Sequence, residues 1–266
     1  TVRSGNQNDS KWNRAIIDSL SDLLKTATSK VTYIADSKLT TGPNITKLIR
    51  NGFSFVSVCP ANFEKKLAER CVRTAYQKNE WINIGTYREP RTNRLVEYEV
   101  QEWRESVCGA ICRLLVFRST QTKKDAVKKL EKEKKDVLDL VTASTTKEFS
   151  CEADALKEIA ALEKNLRNRV WTVACSLVTK DLELEKRPVG RPPKNAKPLP
   201  KTTVWMIDAG DLIVRQDLYD LMRWKHESFV LITNVTEDHT SAIEILRLYK
   251  EQKTVEDNFS VMKRPS

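Results

Sequence analysis

Four polar residues near the end of the sequence stand at a spacing that suits one face of a helix. They are Tyr249, Gln252, Glu256 and Lys263, and at about 100° of rotation per residue they share roughly 60° of arc. A carboxylate flanked by hydroxyl and ammonium groups suits a metal ion bound beside a phosphodiester. An amphipathic helix with a solvated charged face has the same spacing, so this pattern alone leaves both interpretations open.

The helix that positions these residues is expected to carry an apolar stripe on the adjoining face. The stripe consists of Leu248, Val255, Phe259 and Met262, which we expect to pack inward. Packing of that kind would hold the polar row in fixed positions.

A second candidate carboxylate, Asp36, follows the β-branched and apolar run 31–35. Gly42-Pro43 then opens a predicted helix that ends at Asn51-Gly52, and residues 53–58 predict a second strand. A strand–helix–strand unit implies parallel strands, whose carboxyl ends form ligand sites. Asp36 is therefore expected at such an edge, although an Asp before Ser is also a common turn former.

The residue spacing in the last helix resembles the Y-R-E-K signature of a group of DDE transposases from bacterial insertion sequences. Tyr249, Glu256 and Lys263 match this signature, whereas Gln252 stands where it has Arg. The sequence YIADSKL around Asp36 resembles the strand that carries the second acidic residue of the DDE triad. Gln252 lacks the charge and the bidentate fork of Arg, which puts the phosphate contact at that position in doubt.

The resemblance implies metal-dependent DNA cleavage and strand transfer during transposition. It implies that Asp36 and Glu256 are catalytic and hold two Mg²⁺ or Mn²⁺ ions, and that Tyr249, Gln252 and Lys263 contact DNA phosphates. The implied partners are double-stranded DNA, at transposon ends and target, and a second copy of the chain in a DNA-bound homodimer. A membrane partner is not expected, and the implied location is the bacterial cytoplasm in association with the nucleoid.

The first acidic residue of the triad has no good candidate in the sequence. Asp9, Asp18 and Asp22 fall in a predicted turn and a predicted helix. The segment from Gly5 to Asp9 resembles the text that follows the third core strand of the family. We therefore expect an N-terminally truncated fragment with an incomplete metal site and little or no activity alone.

The resemblance also predicts the fold class, an α/β ribonuclease-H-like core interrupted by a large β-rich insertion. Residues 1–60 form the first part of this expected core, and residues 236–266 supply its Glu-bearing helix. Residues 61–235 form the expected insertion of strands and helices, in which Trp81–Arg88 and Arg94–Trp103 predict a hairpin.

Composition narrows the classes of partner. Of the 266 residues 40% are hydrophobic, enough for a globular core, and no apolar run approaches the ~20 residues of a membrane span. The net charge of +10 fits a polyanionic partner, nucleic acid first, although a basic protein without such a partner is the alternative. Six cysteines without a C-x-x-C pair, and only two histidines, argue against zinc and favour reduced thiols.

Two other functions remain open at the level of sequence: a non-catalytic, DNA-binding remnant of a transposase, and a metal-dependent nuclease on the same fold. A further motif is Gly-Arg-Pro around Arg191 among basic residues. It resembles an AT-hook, which binds the minor groove. A stiff proline-rich linker is the favoured interpretation of the same residues.

Overall fold

The computed structural model describes residues 14–19, 31–89, 92–183 and 201–262, with side chains in the last two ranges through residues 182 and 252. The chain forms two compact units. Unit 1 consists of Thr1–Ala126 and Trp224–Ser266, and unit 2 of Val127–Arg223.

The elements follow one another in an order that mixes helices and strands. They are α1 (14–19), β1 (Thr32–Ala35), α2 (Gly42–Arg50), β2 (Ser54–Val58), α3 (Leu67–Lys78), β3 (Ile82–Arg88), β4 (Leu95–Val107), β5 (Ala110–Ser119), α4 (Thr120–Thr145), α5 (Glu152–Leu166), β6 (Trp171–Thr172), β7 (Cys175–Glu183), β8 (Lys201–Ala209), β9 (Ile213–Val214), α6 (Gln216–Glu227), β10 (Ser228–Thr233) and α7 (Ala242–Met262).

Unit 1 is built on a mixed six-stranded sheet with the order β1-β2-β10-β5-β4-β3. Strands β1 and β2 are parallel, which confirms the predicted strand–helix–strand unit, and every other pair is antiparallel. The unit is mixed α/β and compatible with a ribonuclease-H-like fold. The large β-rich insertion is not confirmed, because β3, β4, β5 and β10 from the expected insertion 61–235 lie in the same sheet as β1 and β2.

Local sequence signals explain the helix that joins the two parallel strands. Thr41 precedes α2, and its side chain accepts a hydrogen bond from the Asn44 backbone N–H at 3.4 Å. Pro43 lies in the first turn, where its missing N–H is tolerated. Gly52 follows the helix with φ of 71°, a conformation that glycine adopts without strain.

The central strands are buried on both faces. In β5, Leu114 and Val116 belong to one core cluster, with helices α2 and α3, whereas Leu115 and Phe117 belong to a second cluster, with α7. The period of two in the side chains therefore places α2 and α3 on one face of the sheet and α7 on the other.

Unit 2 has its own small core and two antiparallel strand pairs. Strand β6 pairs with β9, and β7 pairs with β8 along nine residues. Leu130, Val137, Leu162 and Leu166 are at most 3% exposed and bring α4 and α5 together.

Two element boundaries differ from the sequence prediction. The residues 171–177 predict a single strand, but β6 ends at Thr172 and β7 begins at Cys175. The residues 61–78 predict a basic amphipathic helix, but α3 begins only at Leu67, because residues 64–66 adopt positive φ angles that an α-helix excludes. The apolar spacing near the start of the sequence predicts a helix that ends near residue 26, of which only 14–19 are described. The Gly-Arg-Pro segment lies outside the described residues.

Candidate functional site

Asp36 follows the last residue of β1, as predicted, and its side chain is exposed. Its Oδ1 accepts a hydrogen bond from the Lys38 backbone N–H at 2.9 Å, the geometry of an Asx turn. Burial raises the pKa of the nearby Tyr33 phenol, and the negative charge of Asp36 raises it further. An exposed carboxyl group at the carboxyl end of a parallel strand suits a hard cation.

Two buried hydroxyl groups hold the backbone of Asp36. Ser57 and Thr40 are 0% and 2% exposed. The Ser57 hydroxyl donates to the Asp36 carbonyl oxygen at 2.7 Å. The Thr40 hydroxyl lies 2.8 Å from both Ser57 Oγ and the Val58 carbonyl oxygen. These bonds fix the turn that carries Asp36 to the adjacent strand β2. The sequence analysis missed both residues, since a Ser in a short apolar strand gives no signal of its partner.

The loop between β10 and α7 is held by Arg113, a residue of β5 that is 3% exposed. Its guanidinium group donates two hydrogen bonds to Glu102, at 3.2 and 2.8 Å. It also donates to the carbonyl oxygens of Val235 and Thr240, at 3.3 and 2.7 Å. The start of α7 is therefore tied to the centre of the sheet.

Asn234 extends this attachment to β2. Its side chain accepts from the Phe55 N–H at 2.8 Å and donates to the Phe53 carbonyl oxygen at 3.0 Å. Ser241 then opens the helix, and Glu244 accepts from the Ser241 N–H at 2.8 Å in the manner of a capping box.

Helix α7 packs on the sheet through the apolar residues of its first two turns. Ile245 and Leu246 are fully buried, and Ala242 and Tyr249 pack against the same cluster. Of the stripe that was expected to point inward, only the side chain of Leu248 is described, and it is half-buried. The rest of that stripe lies outside the described side chains and stays a prediction.

The predicted phosphate-contact row therefore begins on the side of α7 that faces the sheet. Tyr249 and Gln252 are half-buried, and each has an interaction with other groups. The backbone of Glu256 continues the helix two turns after Tyr249, on the same side of the axis to within about 20°. The side chain of Glu256 and the whole of Lys263 lie outside the described residues, so the structure does not test their predicted roles.

Lys250 fixes the middle of α7 to the β3–β4 hairpin. Its ammonium group lies 2.8 Å from Glu89 Oε1 and 5.4 Å from the centre of the Tyr98 ring. Tyr98 donates to the same Glu89 oxygen at 3.0 Å. Burial alone would lower the pKa of Lys250, but the hydrogen bonds with Glu89 and Tyr98 outweigh it and raise that pKa. Sequence reasoning missed this triad because its members are far apart in the chain.

A cavity of about 520 Å³ lies beside α7 in unit 1. Its lining combines apolar side chains with charged and neutral polar groups. It is lined by Val58, Glu89, Thr92, Arg94, Val96, Tyr98, Ser119, Gln121, Thr122, Asp125, Phe229, Tyr249 and Lys250.

Helix α7 runs towards the edge of the sheet at which Asp36 lies. The helix follows Asn234, which bonds Phe53 and Phe55 at the amino end of β2. Tyr249 shares the cavity with Val58, the last residue of β2. Since β1 and β2 are parallel, Val58 and Asp36 mark the same edge. The helix thus passes from the amino end of these strands to their carboxyl end, and its last three turns continue beyond Tyr249.

A comparison with protein families identifies the family of the chain. The family model described as transposase DDE domain matches residues 1–265. The chain belongs to this transposase family. No curated protein and no solved structure matches the chain. Family membership makes DNA the partner and DNA transposition, a form of recombination, the process in which this transposase acts.

The family generally uses divalent metal ions. In the part of the transposase whose side chains are described, no three His, Cys, Asp or Glu residues form a metal-binding group. Asp36 fits a Mg²⁺ or Mn²⁺ ligand, because it is exposed and its hydrogen bond from Lys38 occupies only one carboxylate oxygen. The described helices include none that is long and apolar enough to cross a membrane.

The six cysteines are all free thiols, as predicted. Burial is the main reason that the pKa values of Cys59, Cys71 and Cys112 rise to about 12, and that of Cys108 to about 11. Thiols with such pKa values are poor nucleophiles and poor metal ligands at neutral pH. The candidate site is therefore the carboxylate edge of the sheet.

Proposed function

We propose that this transposase cleaves DNA and transfers strands at a site formed by Asp36 and Glu256. The proposal includes the Y-R-E-K subgroup, to which Tyr249, Glu256 and Lys263 conform, and a ribonuclease-H-like core interrupted by an insertion within residues 61–235. The observation that carries it is the course of α7, which leads from the amino end of β2 towards the edge marked by Asp36 and Val58.

Geometry supports a meeting of the two carboxylates. The alternation of side chains in β1 assigns position 36 to the side of the sheet on which Ile34 packs with the α7 cluster. Position 256 falls on the sheet-facing side of α7, about 10 Å along the axis after Tyr249. Both positions therefore belong to the layer between the sheet and α7.

Each residue of the proposed site has a distinct task. Asp36 and Glu256 would hold a pair of Mg²⁺ or Mn²⁺ ions, which supply activation of the attacking oxygen and stabilisation of the leaving oxygen. Tyr249 and Gln252 would donate hydrogen bonds to backbone phosphate oxygens, and Lys263 would neutralise a phosphate near the scissile bond. Ser57 holds the turn of Asp36 in place. No residue is assigned here as the first acidic member of the triad.

The test measures Mn²⁺ binding to the purified chain by titration monitored with electron paramagnetic resonance. Asp36→Asn and Glu256→Gln should each lower the Mn²⁺ affinity by about tenfold or more, since each removes a charged ligand. Asp238→Asn and Glu251→Gln are matched controls, because both residues are exposed and Glu251 lies on the same helix.

Cleavage provides a second readout. The chain alone should nick duplex DNA from the ends that flank the gene slowly or not at all, because no first acidic residue is assigned in it. Any nicking should require Mg²⁺ or Mn²⁺, and loss of either proposed ligand should reduce its rate at least about 100-fold. Mn²⁺ affinity and cleavage that survive both substitutions would refute the assignment of the site.

The alternatives predict different products. A metal-dependent nuclease would hydrolyse the DNA without joining a strand to target DNA, and a DNA-binding remnant would bind DNA without Mn²⁺-dependent chemistry. A homodimer on DNA and a location at the bacterial nucleoid belong to the same proposal. Light scattering of the chain with and without end DNA checks the dimer.

A further inference from the structure

The outward face of α4 in unit 2 carries lysines at a spacing of one helical turn. Lys128, Lys132 and Lys135 are exposed, and we call them the lysine stripe. At about 100° per residue they lie within roughly 60° of arc, and their α-carbons span about 10 Å along the helix axis.

The rotation of α4 is fixed by the residues on its inner face. Leu130 and Val137 are 3% and 0% exposed. Glu133, between them, accepts a hydrogen bond from Arg169 at 2.6 Å. Leu130 and Val137 lie roughly 180° from the lysine stripe around the axis, and Glu133 roughly 130° from it. The stripe therefore faces away from the core of unit 2.

The lysines of the stripe form no ion pair within the described part of unit 2. This holds although Glu131, Asp136 and Asp139 each stand three or four residues from a lysine of the stripe on the same helix. Two other exposed lysines of unit 2 are paired: the Lys157 ammonium lies 2.9 Å from Asp154, and that of Lys147 2.7 Å from Glu158. Lys134, Lys164 and Lys180 are exposed without an ion pair in the described part of the unit, but they do not share one helical row with each other. A polyanion would thus find three free ammonium groups in one row.

We propose that the lysine stripe binds the sugar-phosphate backbone of double-stranded DNA. One DNA strand presents a phosphate about every 3.4 Å, so about 10 Å of helix faces about three phosphates, one for each lysine. Asp139 occupies the next position in the row and repels a fourth phosphate. Contacts of this type position the duplex without reading its sequence. The inference rests on the DNA partner of the family and not on the metal site.

The test is the salt dependence of DNA binding. The triple variant K128Q/K132Q/K135Q and the unchanged chain are titrated with a fluorescent duplex of about 30 base pairs and arbitrary sequence, in EDTA, between about 50 and 200 mM KCl. Each lost phosphate contact lowers the slope of log K against log salt by about 0.9, so the expected change is about 2.7. Gln has nearly the same helix propensity as Lys, which preserves α4.

A matched control removes three charges from elsewhere in unit 2. In K157Q/K164Q/K180Q the replaced lysines are exposed and lie on α5 and β7, and the slope should change by less than about one contact. Circular dichroism checks that both variants are folded. If the triple stripe variant does not fold, the single variant Lys132→Gln replaces it, with an expected slope change of about 0.9.

Equal slopes for the stripe variant and the control would overturn the inference. So would a stripe variant that binds the duplex as tightly as the unchanged chain at every salt concentration. Because binding is measured in EDTA, a failed metal site leaves this test intact. Conversely, normal Mn²⁺ binding by the stripe variant leaves the proposed catalytic site intact even if the stripe does not bind DNA.

Discussion

At the scale of single residues, the candidate site depends on buried polar groups that form hydrogen bonds with several partners. Ser57 bonds the backbone of Asp36, and Arg113 satisfies two carbonyl oxygens and a carboxylate at once. Removal of one partner from such a network leaves the others buried without hydrogen bonds, which costs more than the bond itself contributes. The residues that hold the site are therefore expected to matter for stability as well as for chemistry.

Ser57→Ala tests the hydroxyl that holds the Asp36 turn. It leaves the Asp36 carbonyl oxygen without its partner, so the free energy of unfolding should fall by about 1–3 kcal/mol. Urea denaturation measures this change. Ser106→Ala on β4 is the control, since Ser106 is exposed and its loss should cost less than about 0.5 kcal/mol. Equal effects of the two substitutions would contradict the anchoring role.

Glu99 provides a test that depends on pH. Hydrogen bonds from Arg118 lower its pKa against the opposing effect of burial, and Lys123 lowers it further. A lowered pKa in the folded state adds stability above the ordinary pKa of about 4.3, and that stability is lost as the pH falls through the folded value.

The Glu99→Gln variant should therefore be less stable than the unchanged chain at pH 7 by about 1–2 kcal/mol, with the difference vanishing in acid. Chemical denaturation at pH 7 and near pH 3 measures it. Glu80→Gln is the control, because Glu80 is exposed and its substitution at pH 7 should cost less than about 0.5 kcal/mol. A stability difference between the Glu99→Gln variant and the unchanged chain that grows in acid would contradict a lowered pKa of Glu99 in the folded state.

At the scale of elements, sequence patterns predicted the parts with regular periods and missed the contacts between them. The unit β1–α2–β2 and the β3–β4 hairpin are present. The Lys- and Glu-rich residues 123–141, which predict an exposed helix, lie within α4 (Thr120–Thr145). The turn at Cys108-Gly109 was not predicted, because Cys108 adopts a positive φ of 51° that its residue type does not favour. The long-range hydrogen bonds of Arg113 were not predicted either, since no local pattern indicates a partner more than 100 residues away in the sequence.

Arg113→Lys tests how α7 is attached to the sheet. Lysine keeps the charge but cannot bond Glu102 and two carbonyl oxygens together, so unfolding should become easier by about 2–4 kcal/mol. Amide hydrogen exchange should also accelerate in residues 235–240. Arg104→Lys is the matched control: Arg104 is exposed and lies 3.5 Å from Glu237 in the same loop, and its change should cost less than about 1 kcal/mol. Similar losses of stability in Arg113→Lys and Arg104→Lys would argue against the role of Arg113 in attaching α7 to the sheet.

At the scale of the molecule, the chain divides into two units whose cores share no residues. The clusters of unit 1 line both faces of the sheet, and the cluster of unit 2 joins α4 and α5. The sequence predicted that strands would occur throughout residues 61–235, yet it did not indicate which of them join the first two strands. Sheet neighbours are set by contacts between distant segments, and local periodicity does not encode them.

Leu115→Ala and Leu162→Ala test the independence of the two cores. These side chains are 0% and 2% exposed, in unit 1 and unit 2, and each truncation should cost about 2–5 kcal/mol. Hydrogen exchange should accelerate mainly in β5 and β10 for Leu115→Ala and mainly in α4 and α5 for Leu162→Ala. Uniform acceleration throughout both units in either variant would contradict separate cores.

The place of β10 in the sheet has a consequence for synthesis on the ribosome. This strand lies between β2 and β5, but it is translated roughly 110 residues after β5. At about 5–20 residues per second the nascent polypeptide waits on the order of 5–20 s with two unpaired apolar strand edges. Chaperone capture during that interval, and aggregation of any product that terminates before residue 228, are the expected cellular cost of this strand order.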